Sequence, residues 1–205
     1  ECEPQYIPEV VKLFTQTAIE IDEGQQYDMD FESRDDVTEE EYIEMIRLKT
    51  SVLLACALKL GAILADAPKE DQESLYRFGE KLGLAFQLQD DFLDVYGDFK
   101  TFGKKIGGDI MCNKKTYMLI NAFRLANEKQ RSELQYWIGL QNPVPEEKIA
   151  SVTHLYDAIG IPDLASARMQ AYFEEALGYL DKVALPAEQK VQLLEFANRL
   201  MRRNK

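Results

Sequence analysis

The chain has 205 residues, of which 46% are hydrophobic and 10% aromatic, so it is long and apolar enough to form one folded domain. Its formal net charge is −12 and its pI is about 4.7, which argues against general nucleic-acid binding because nucleic acids attract basic surfaces. The three cysteines are scattered, and with one histidine they do not form a zinc-binding pattern. Free thiols of this kind are typical of a reducing cytoplasm.

Helical periodicity dominates the first third of the sequence. A first helix is predicted over residues 8–20, followed by an acidic turn region over residues 24–36. Thr38 and Glu41 have the spacing of a capping box, so a second helix should begin there and continue to about Ala65.

Prolines and glycines set the helix boundaries in the remainder. A third helix is predicted over residues 70–96, a glycine-rich loop over 97–108, and a fourth helix from about Lys114. Gly160 should end the fifth helix. Prolines at first-turn positions open the third, fifth, sixth and seventh helices: Pro68, Pro145, Pro162 and Pro186.

No linker or repeat divides the chain. The sequence therefore predicts a single all-α domain over residues 1–205, a bundle of long, mostly antiparallel helices with short connections. The longest uncharged apolar run, Ser51 to Leu58, is too short to cross a bilayer, so an integral membrane protein is not expected. Because the first residue is Glu1 and not methionine, we expect the chain to begin partway through a larger protein.

Three aspartates on the third predicted helix are the most informative feature. At about 100° per residue, Gln87, Asp90, Asp91 and Asp94 fall within an arc of roughly 100°. No basic residue of the same helix neutralises them at the neighbouring positions, and clustered carboxylates of this kind suit Mg²⁺. Gly83 lies one turn earlier on the same face, where a missing side chain could let a ligand approach. The alternative is a solvated acidic helix face.

Lys49 lies near the centre of an apolar stripe on the second predicted helix. A lysine that faces a core needs an anionic partner or a polar cavity, and a diphosphate would serve as one. The alternative is a side chain that extends to the surface. Lys59, at the edge of the stripe, is expected to be such a surface residue. The stripe is formed by Met45, Ile46, Val52, Leu53, Cys56, Leu60 and Ile63.

A glycine- and lysine-rich segment follows the aspartates. Glycines permit close backbone approach to a phosphate, and Lys104, Lys105 and Lys114 supply positive charge. Residues 113–116 are expected to begin a helix, whose N-terminus would favour an anion.

These features together resemble the polyprenyl synthetase family, which includes farnesyl and geranylgeranyl diphosphate synthases. The segment Gln87-Leu-Gln-Asp-Asp-Phe-Leu-Asp94 is similar to the second aspartate-rich motif of the family. The other matching elements are Gly103-Lys104, Gly107-Gly108-Asp109, Asn113-Lys114, Lys49-Thr50 and Gly24-Gln25-x-x-Asp28.

The resemblance implies a prenyltransferase that condenses isopentenyl diphosphate with an allylic diphosphate through Mg²⁺-assisted ionisation. Asp90 would be the main metal ligand, supported by Asp91 and Asp94. Thr50 and Gln87 would line the allylic pocket and stabilise the carbocation. The lysines expected to contact diphosphate are Lys49, Lys114 and either Lys104 or Lys105. A cytoplasmic homodimer is also implied.

The resemblance is to the C-terminal part of the family, because the first aspartate-rich motif is not in this sequence. The N-terminal helices of the bundle would then be missing, and the chain is expected to be inactive alone. Three alternatives stay open: a non-catalytic subunit of a heteromeric prenyl synthase, a helical interaction module with an acidic face, and a terpene cyclase. The cyclases usually carry Asn, Ser or Thr with Glu at the corresponding metal motif, which these aspartates do not match.

Overall fold

The computed structural model describes residues 3–97 and 106–202, and within these ranges the protein is helical with no strand. In chain order the helices are α1 (Ile7–Glu32), α2 (Glu39–Ile46), α3 (Val52–Leu64), α4 (Lys69–Tyr96), α5 (Gly108–Met111), α6 (Tyr117–Leu125), α7 (Glu128–Gly139), α8 (Pro145–Ile159), α9 (Ile161–Lys182) and α10 (Ala187–Met201). Helices α3 and α9 pack along α4, which lies at the centre of the bundle. The all-α bundle expected from the sequence is confirmed.

Most of the predicted helix boundaries are confirmed. The Thr38 side chain accepts a hydrogen bond from the Glu41 backbone N–H, and the Glu41 side chain accepts one from the Thr38 N–H, which completes the capping box. Gly160 ends α8 in the left-handed conformation with φ of 86°. The four prolines lie at the starts of the predicted helices: Pro68, Pro145, Pro162 and Pro186.

The turn predicted at residue 24 is wrong, because α1 continues without a break to Glu32. Gly24 is buried inside this helix, and a Cβ atom there would lie 2.4 Å from the backbone nitrogen of Lys49. The glycine therefore allows two backbones to approach closely and does not form a turn. A single sequence cannot distinguish these two uses of glycine.

The second predicted helix is interrupted by a wide π-helical turn over Arg47–Ser51. Such turns hold one residue more than an α-helical turn and occur frequently at functional sites. This one carries Lys49 and Thr50. Two members of the predicted apolar stripe are not buried. Leu53 is 54% exposed because it lines a cavity that opens to the surface, and Leu60 is half-buried. The buried members are Met45, Ile46, Val52, Cys56 and Ile63.

The helix predicted from about Lys114 begins instead at Tyr117, so residues 113–116 precede it. Asn113 has a φ of 54°, which breaks the helical path, and the Thr116 side chain caps α6 by accepting from the Leu119 N–H. A further break falls at Asn127, which opens α7 with a capping box. No pattern in the sequence predicted this second break. The helix start expected at residues 113–116 lies at the last residue of that range, the N-cap Thr116, and anion binding there stays a prediction.

Candidate active site

Asp91 is the buried member of the aspartate triplet, with 3% of its surface exposed. The Tyr42 hydroxyl donates a hydrogen bond to its Oδ2, and the Gln87 Nε2 donates one of 3.0 Å to its Oδ1. Burial raises the pKa of Asp91 and, together with the charge of Asp91, raises the pKa of Tyr42 well above its usual value. Tyr42 therefore keeps its proton and acts as a donor.

A chain of hydrogen bonds connects the aspartates with the wide turn. The Thr50 Oγ1 donates to the Gln87 Oε1 over 3.1 Å, and Gln87 in turn donates to Asp91. The amide of Gln87 is thus held at both ends. Thr50 of the wide turn thus lies beside Gln87 and Asp91 of α4, although it is 37 residues from Gln87 in sequence.

Lys49 has a partner within the chain. Its Nζ lies 2.7 Å from Oδ2 of Asp28 on α1, and the two side chains are 31% and 25% exposed. Asp28 belongs to the Gly24-Gln25-x-x-Asp28 element of the sequence. The close approach at Gly24 brings the backbone of Lys49 against α1, and Asp28, four residues after Gly24 in the same element, then pairs with the Lys49 side chain.

Gly83 also permits a close approach, but its nearest neighbour is protein and not a ligand. A Cβ atom at this position would lie 2.6 Å from the Cα of Ser51 in the wide turn. Gly83 nevertheless lines an apolar cavity of about 330 Å³ beside Thr50. Its remaining walls are Leu53, Leu54, Ala57, Phe86, Phe196 and Leu200.

Asp109 joins the acidic group through a turn that folds back onto α4. Gly107 has φ of 83°, and the Asp109 backbone N–H donates to Oδ2 of Asp94 over 2.9 Å. Burial raises the pKa of Asp109 from 3.8 to about 7, the nearby ammonium of Lys114 opposes this, and the charges of Asp91, Asp94 and Asp90 add to it. The turn glycines therefore bring backbone to a carboxylate, where the sequence had suggested a phosphate.

Lys114 is the positive charge within this acidic group. Burial lowers the pKa of Lys114, but the combined charges of the surrounding carboxylates raise it by more, so the pKa lies above its usual value. These carboxylates are Asp91, Asp109, Asp28 and Asp94. Its Nζ lies 3.8 Å from Oδ1 of Asp109. A polar cavity of about 640 Å³ opens here, lined by Asp28, Phe31, Glu32, Gly108, Asp109, Cys112, Asn113, Lys114 and Lys115.

The donor set fits a metal ion that arrives with a polyphosphate. Among residues 3–97 and 106–202, no three Asp, Glu, His or Cys side chains are close enough to hold a metal ion by themselves. Mg²⁺ usually takes one or two carboxylates together with substrate phosphates. Burial is the main cause of the raised pKa of Asp109, and the neighbouring aspartates add to it against the opposing charge of Lys114. Several carboxylates therefore lie close together around one lysine, and a divalent ion would compensate their charge.

Two predicted residues, Lys104 and Lys105, lie outside the described parts of the chain. Lys59, expected to be a surface residue, is half-buried: its Nζ lies 3.0 Å from the carboxylate of Glu73, and the two side chains are 24% and 49% exposed. Tyr42 was not predicted, since a tyrosine in an amphipathic helix carries no signal of a polar role. Asp109 was named only within the Gly107-Gly108-Asp109 element and was given no role of its own, although it is a further acid directly after two glycines.

The titration of Asp109 leads to a testable pH dependence. The folded protein retains this proton up to pH of about 7, whereas the unfolded chain loses it near 3.8, so the free energy of unfolding should fall as pH rises between these values. Asp109→Asn replaces the carboxylate by a neutral amide and so removes the free-energy cost of ionising Asp109 in the folded protein. In thermal denaturation with a metal chelator, the variant should melt at the wild-type temperature at pH 4 and at least about 3 °C higher at pH 8.

The exposed Asp181 provides the control, because Asp181→Asn should change the melting temperature equally little at both pH values. An Asp109→Asn variant that melts below the wild type at pH 8 would contradict the conclusion that the ionised Asp109 carboxylate destabilises the folded protein.

The protein is thus an all-helical bundle with an acidic, lysine-containing cleft beside an apolar cavity. Residues 2–158 match the family model described as polyprenyl synthetase, and the chain belongs to this family. No helix in the described ranges is long and apolar enough to cross a membrane.

Individual relatives agree with the family assignment. The chain is 38% identical over 163 residues to a short chain isoprenyl diphosphate synthase of Methanothermobacter thermautotrophicus, covering 80% of this chain and 49% of the relative. A crystal structure of a geranylgeranyl pyrophosphate synthase matches with TM-score 0.92 and 41% identity, over 99% of this chain and 63% of that one.

A second structure, geranylgeranyl pyrophosphate synthase from Corynebacterium glutamicum complexed with isoprenyl diphosphate and magnesium, matches with TM-score 0.88 and 29% identity. The match covers 98% of this chain and 57% of that one. The chain therefore spans roughly half to two thirds of the length of these relatives.

Proposed function

We propose that this chain supplies the diphosphate-binding part of a trans-prenyltransferase that joins isopentenyl diphosphate to an allylic diphosphate. The observation that carries the proposal is that the aspartate triplet and Lys114 lie close enough to Asp109 for their charges to shift its pKa. Asp91 of this triplet is connected through Gln87 to Thr50. The names of the relatives, which include isoprenyl and geranylgeranyl diphosphate synthases, support this class of substrate.

In this proposal Asp90 is the main ligand of Mg²⁺, and Asp91 and Asp94 support it. Bound Mg²⁺ would neutralise the diphosphate and so favour its departure from the allylic carbon. Asp91 accepts hydrogen bonds at both oxygens, which suits an orienting role in this group. A matching structure is complexed with isoprenyl diphosphate and magnesium, which supports the choice of ion.

The lysines are proposed to contact the diphosphate. Lys114 already lies among carboxylates at the polar cavity, and Lys49 pairs with Asp28, which also lines this cavity. A diphosphate with its metal ions would join these ion pairs without leaving an ammonium unpaired. Lys104 or Lys105 is proposed as a third contact from the adjoining loop.

Thr50 and Gln87 are proposed to stabilise the allylic cation. The Thr50 hydroxyl donates to the carbonyl of Gln87, so both oxygen dipoles are held in place before substrate binds. The apolar cavity beside Thr50 would take the hydrocarbon chain and keep water from the cation.

We also propose that the chain is inactive alone, since it spans only part of its relatives. Apolar side chains on α1 support this: Ile7, Val11 and Phe14 are 45%, 55% and 60% exposed, as expected of a face that packs against further polypeptide. The homodimer and the cytoplasmic location implied by the resemblance stay predictions.

The proposal is tested by thermal denaturation with Mg²⁺ and inorganic pyrophosphate. Because the carboxylates alone do not form a complete metal cage in the described ranges, each ligand by itself should shift the melting temperature little. Both together, at a hundred times the dissociation constant, should stabilise by about 2.7 kcal/mol. A shift with Mg²⁺ alone that pyrophosphate does not increase would favour an acidic interaction module instead.

A further inference from the structure

Lys148 is a buried lysine that the proposed chemistry does not use. It lies in α8 with 1% of its surface exposed, so its ammonium group does not reach solvent. The Nζ donates a hydrogen bond of 2.6 Å to Oδ1 of Asn113 and lies 3.5 Å from the carbonyl oxygen of Met111. Both acceptors are neutral oxygens.

Stability of the core does not explain this ammonium group. Burying a charge costs free energy that two neutral acceptors offset only in part, and burial lowers the pKa of Lys148 accordingly. A methionine would fill nearly the same volume with no charge to desolvate. The role of Lys148 must therefore be sought in the groups that its ammonium contacts, namely the Asn113 side chain and the Met111 carbonyl.

Lys148 holds the irregular segment that carries two of the site residues. This segment, residues 107–116, contains Asp109 and Lys114 and has two residues with positive φ, Gly107 and Asn113. Asn113 is fixed from two sides: its Oδ1 accepts from Lys148, and its Nδ2 donates to the Ile138 carbonyl over 3.0 Å.

The neighbouring residue of α8 contacts the other end of the same segment. A Cβ atom on Gly107 would lie 2.6 Å from Cδ1 of Ile149, so the segment is packed directly on this helix. Lys148 and Ile149 thus hold both ends of the turn that places Asp109 against Asp94.

We propose that Lys148 is a positioning residue, whose buried ammonium fixes Asn113 and thereby sets where Asp109 and Lys114 stand relative to the aspartates of α4. The expected effect on Mg²⁺ and diphosphate binding rests on the proposed function. Residues that orient ligands in this way typically contribute tenfold or more to affinity.

The first test is calorimetric titration of Mg²⁺ and inorganic pyrophosphate into the chain. Lys148→Met should raise the dissociation constant about tenfold. Asn113→Gly, which removes the acceptor while glycine keeps the positive φ without strain, should do the same. The double variant should be no weaker than either single variant, because both remove one interaction. Unchanged affinity in Lys148→Met would overturn the proposal.

A matched control separates positioning from general destabilisation. Leu180 is buried in a different cluster, formed by α3, α4, α9 and α10, so Leu180→Ala should lower the melting temperature with little change in affinity. If Leu180→Ala weakens pyrophosphate binding as much as Lys148→Met does, the role of Lys148 is merely structural.

Hydrogen exchange gives a readout that needs no ligand. In Lys148→Met, amides of residues 107–116 should exchange about tenfold faster while those of α10 stay unchanged. No such difference would overturn the proposal even if the wild type binds pyrophosphate. A wild type that fails to bind Mg²⁺ with pyrophosphate would instead overturn the proposed function, while exchange would still decide whether Lys148 holds the segment.

Discussion

Asp90→Ala should abolish detectable Mg²⁺-dependent pyrophosphate binding by this chain. In a complete prenyltransferase that contains the chain, the same change should lower turnover by a factor on the order of a hundred or more, because the lost group acts on the charge of the departing diphosphate. Binding is measured by calorimetry and turnover by condensation of isopentenyl diphosphate with an allylic diphosphate.

Lys59→Ala is the matched control for a charged residue outside the site. Its ammonium is paired with the carboxylate of Glu73, and a partly exposed ion pair of this kind contributes little to stability. Binding and turnover should therefore stay within about twofold of the wild type. Comparable losses from Lys59→Ala and Asp90→Ala would contradict the placement of the site on α4.

Gly24→Ala and Gly61→Ala should have opposite effects on stability. At Gly24 an added Cβ would meet the backbone of Lys49 at 2.4 Å, so α1 or the wide turn must shift, at a cost of about 2 kcal/mol or more. At Gly61, inside α3, nothing lies within 4 Å of the added atom, and alanine should stabilise by about 0.5–1 kcal/mol. Chemical denaturation of the two variants measures both values.

The Gly24→Ala variant should also lose affinity for Mg²⁺ and pyrophosphate, because the displaced backbone carries Lys49 away from Asp28. Gly61→Ala should bind as the wild type does. If both alanines raise the free energy of unfolding, the contact between α1 and the wide turn is looser than described.

Much of the fold could be predicted because helix boundaries depend on local chemistry. Gly160 ends α8 since glycine tolerates φ of 86°, and the Thr38 capping box needs only residues three apart. Gly24 misled the prediction because its role depends on Lys49, which is distant in sequence. Local patterns do not report which backbones come into contact.

The part of the candidate site that lies on a single helix could also be predicted from local geometry. The aspartates of α4 share one helix, so their common face follows from helical geometry alone. Tyr42 and Asp109 reach Asp91 and Asp94 from other segments of the chain, and no spacing rule indicates those contacts. The ion pair of Lys49 with Asp28 likewise depends on tertiary packing.

The wide π-helical turn at Arg47–Ser51 carries two neighbouring residues that contact two different helices. Lys49 in this turn contacts Asp28 on α1, while the next residue, Thr50, contacts Gln87 on α4. Through these two contacts the turn couples the helix that bears the aspartates to the helix that bears Asp28, so a displacement of either helix would be transmitted to the other.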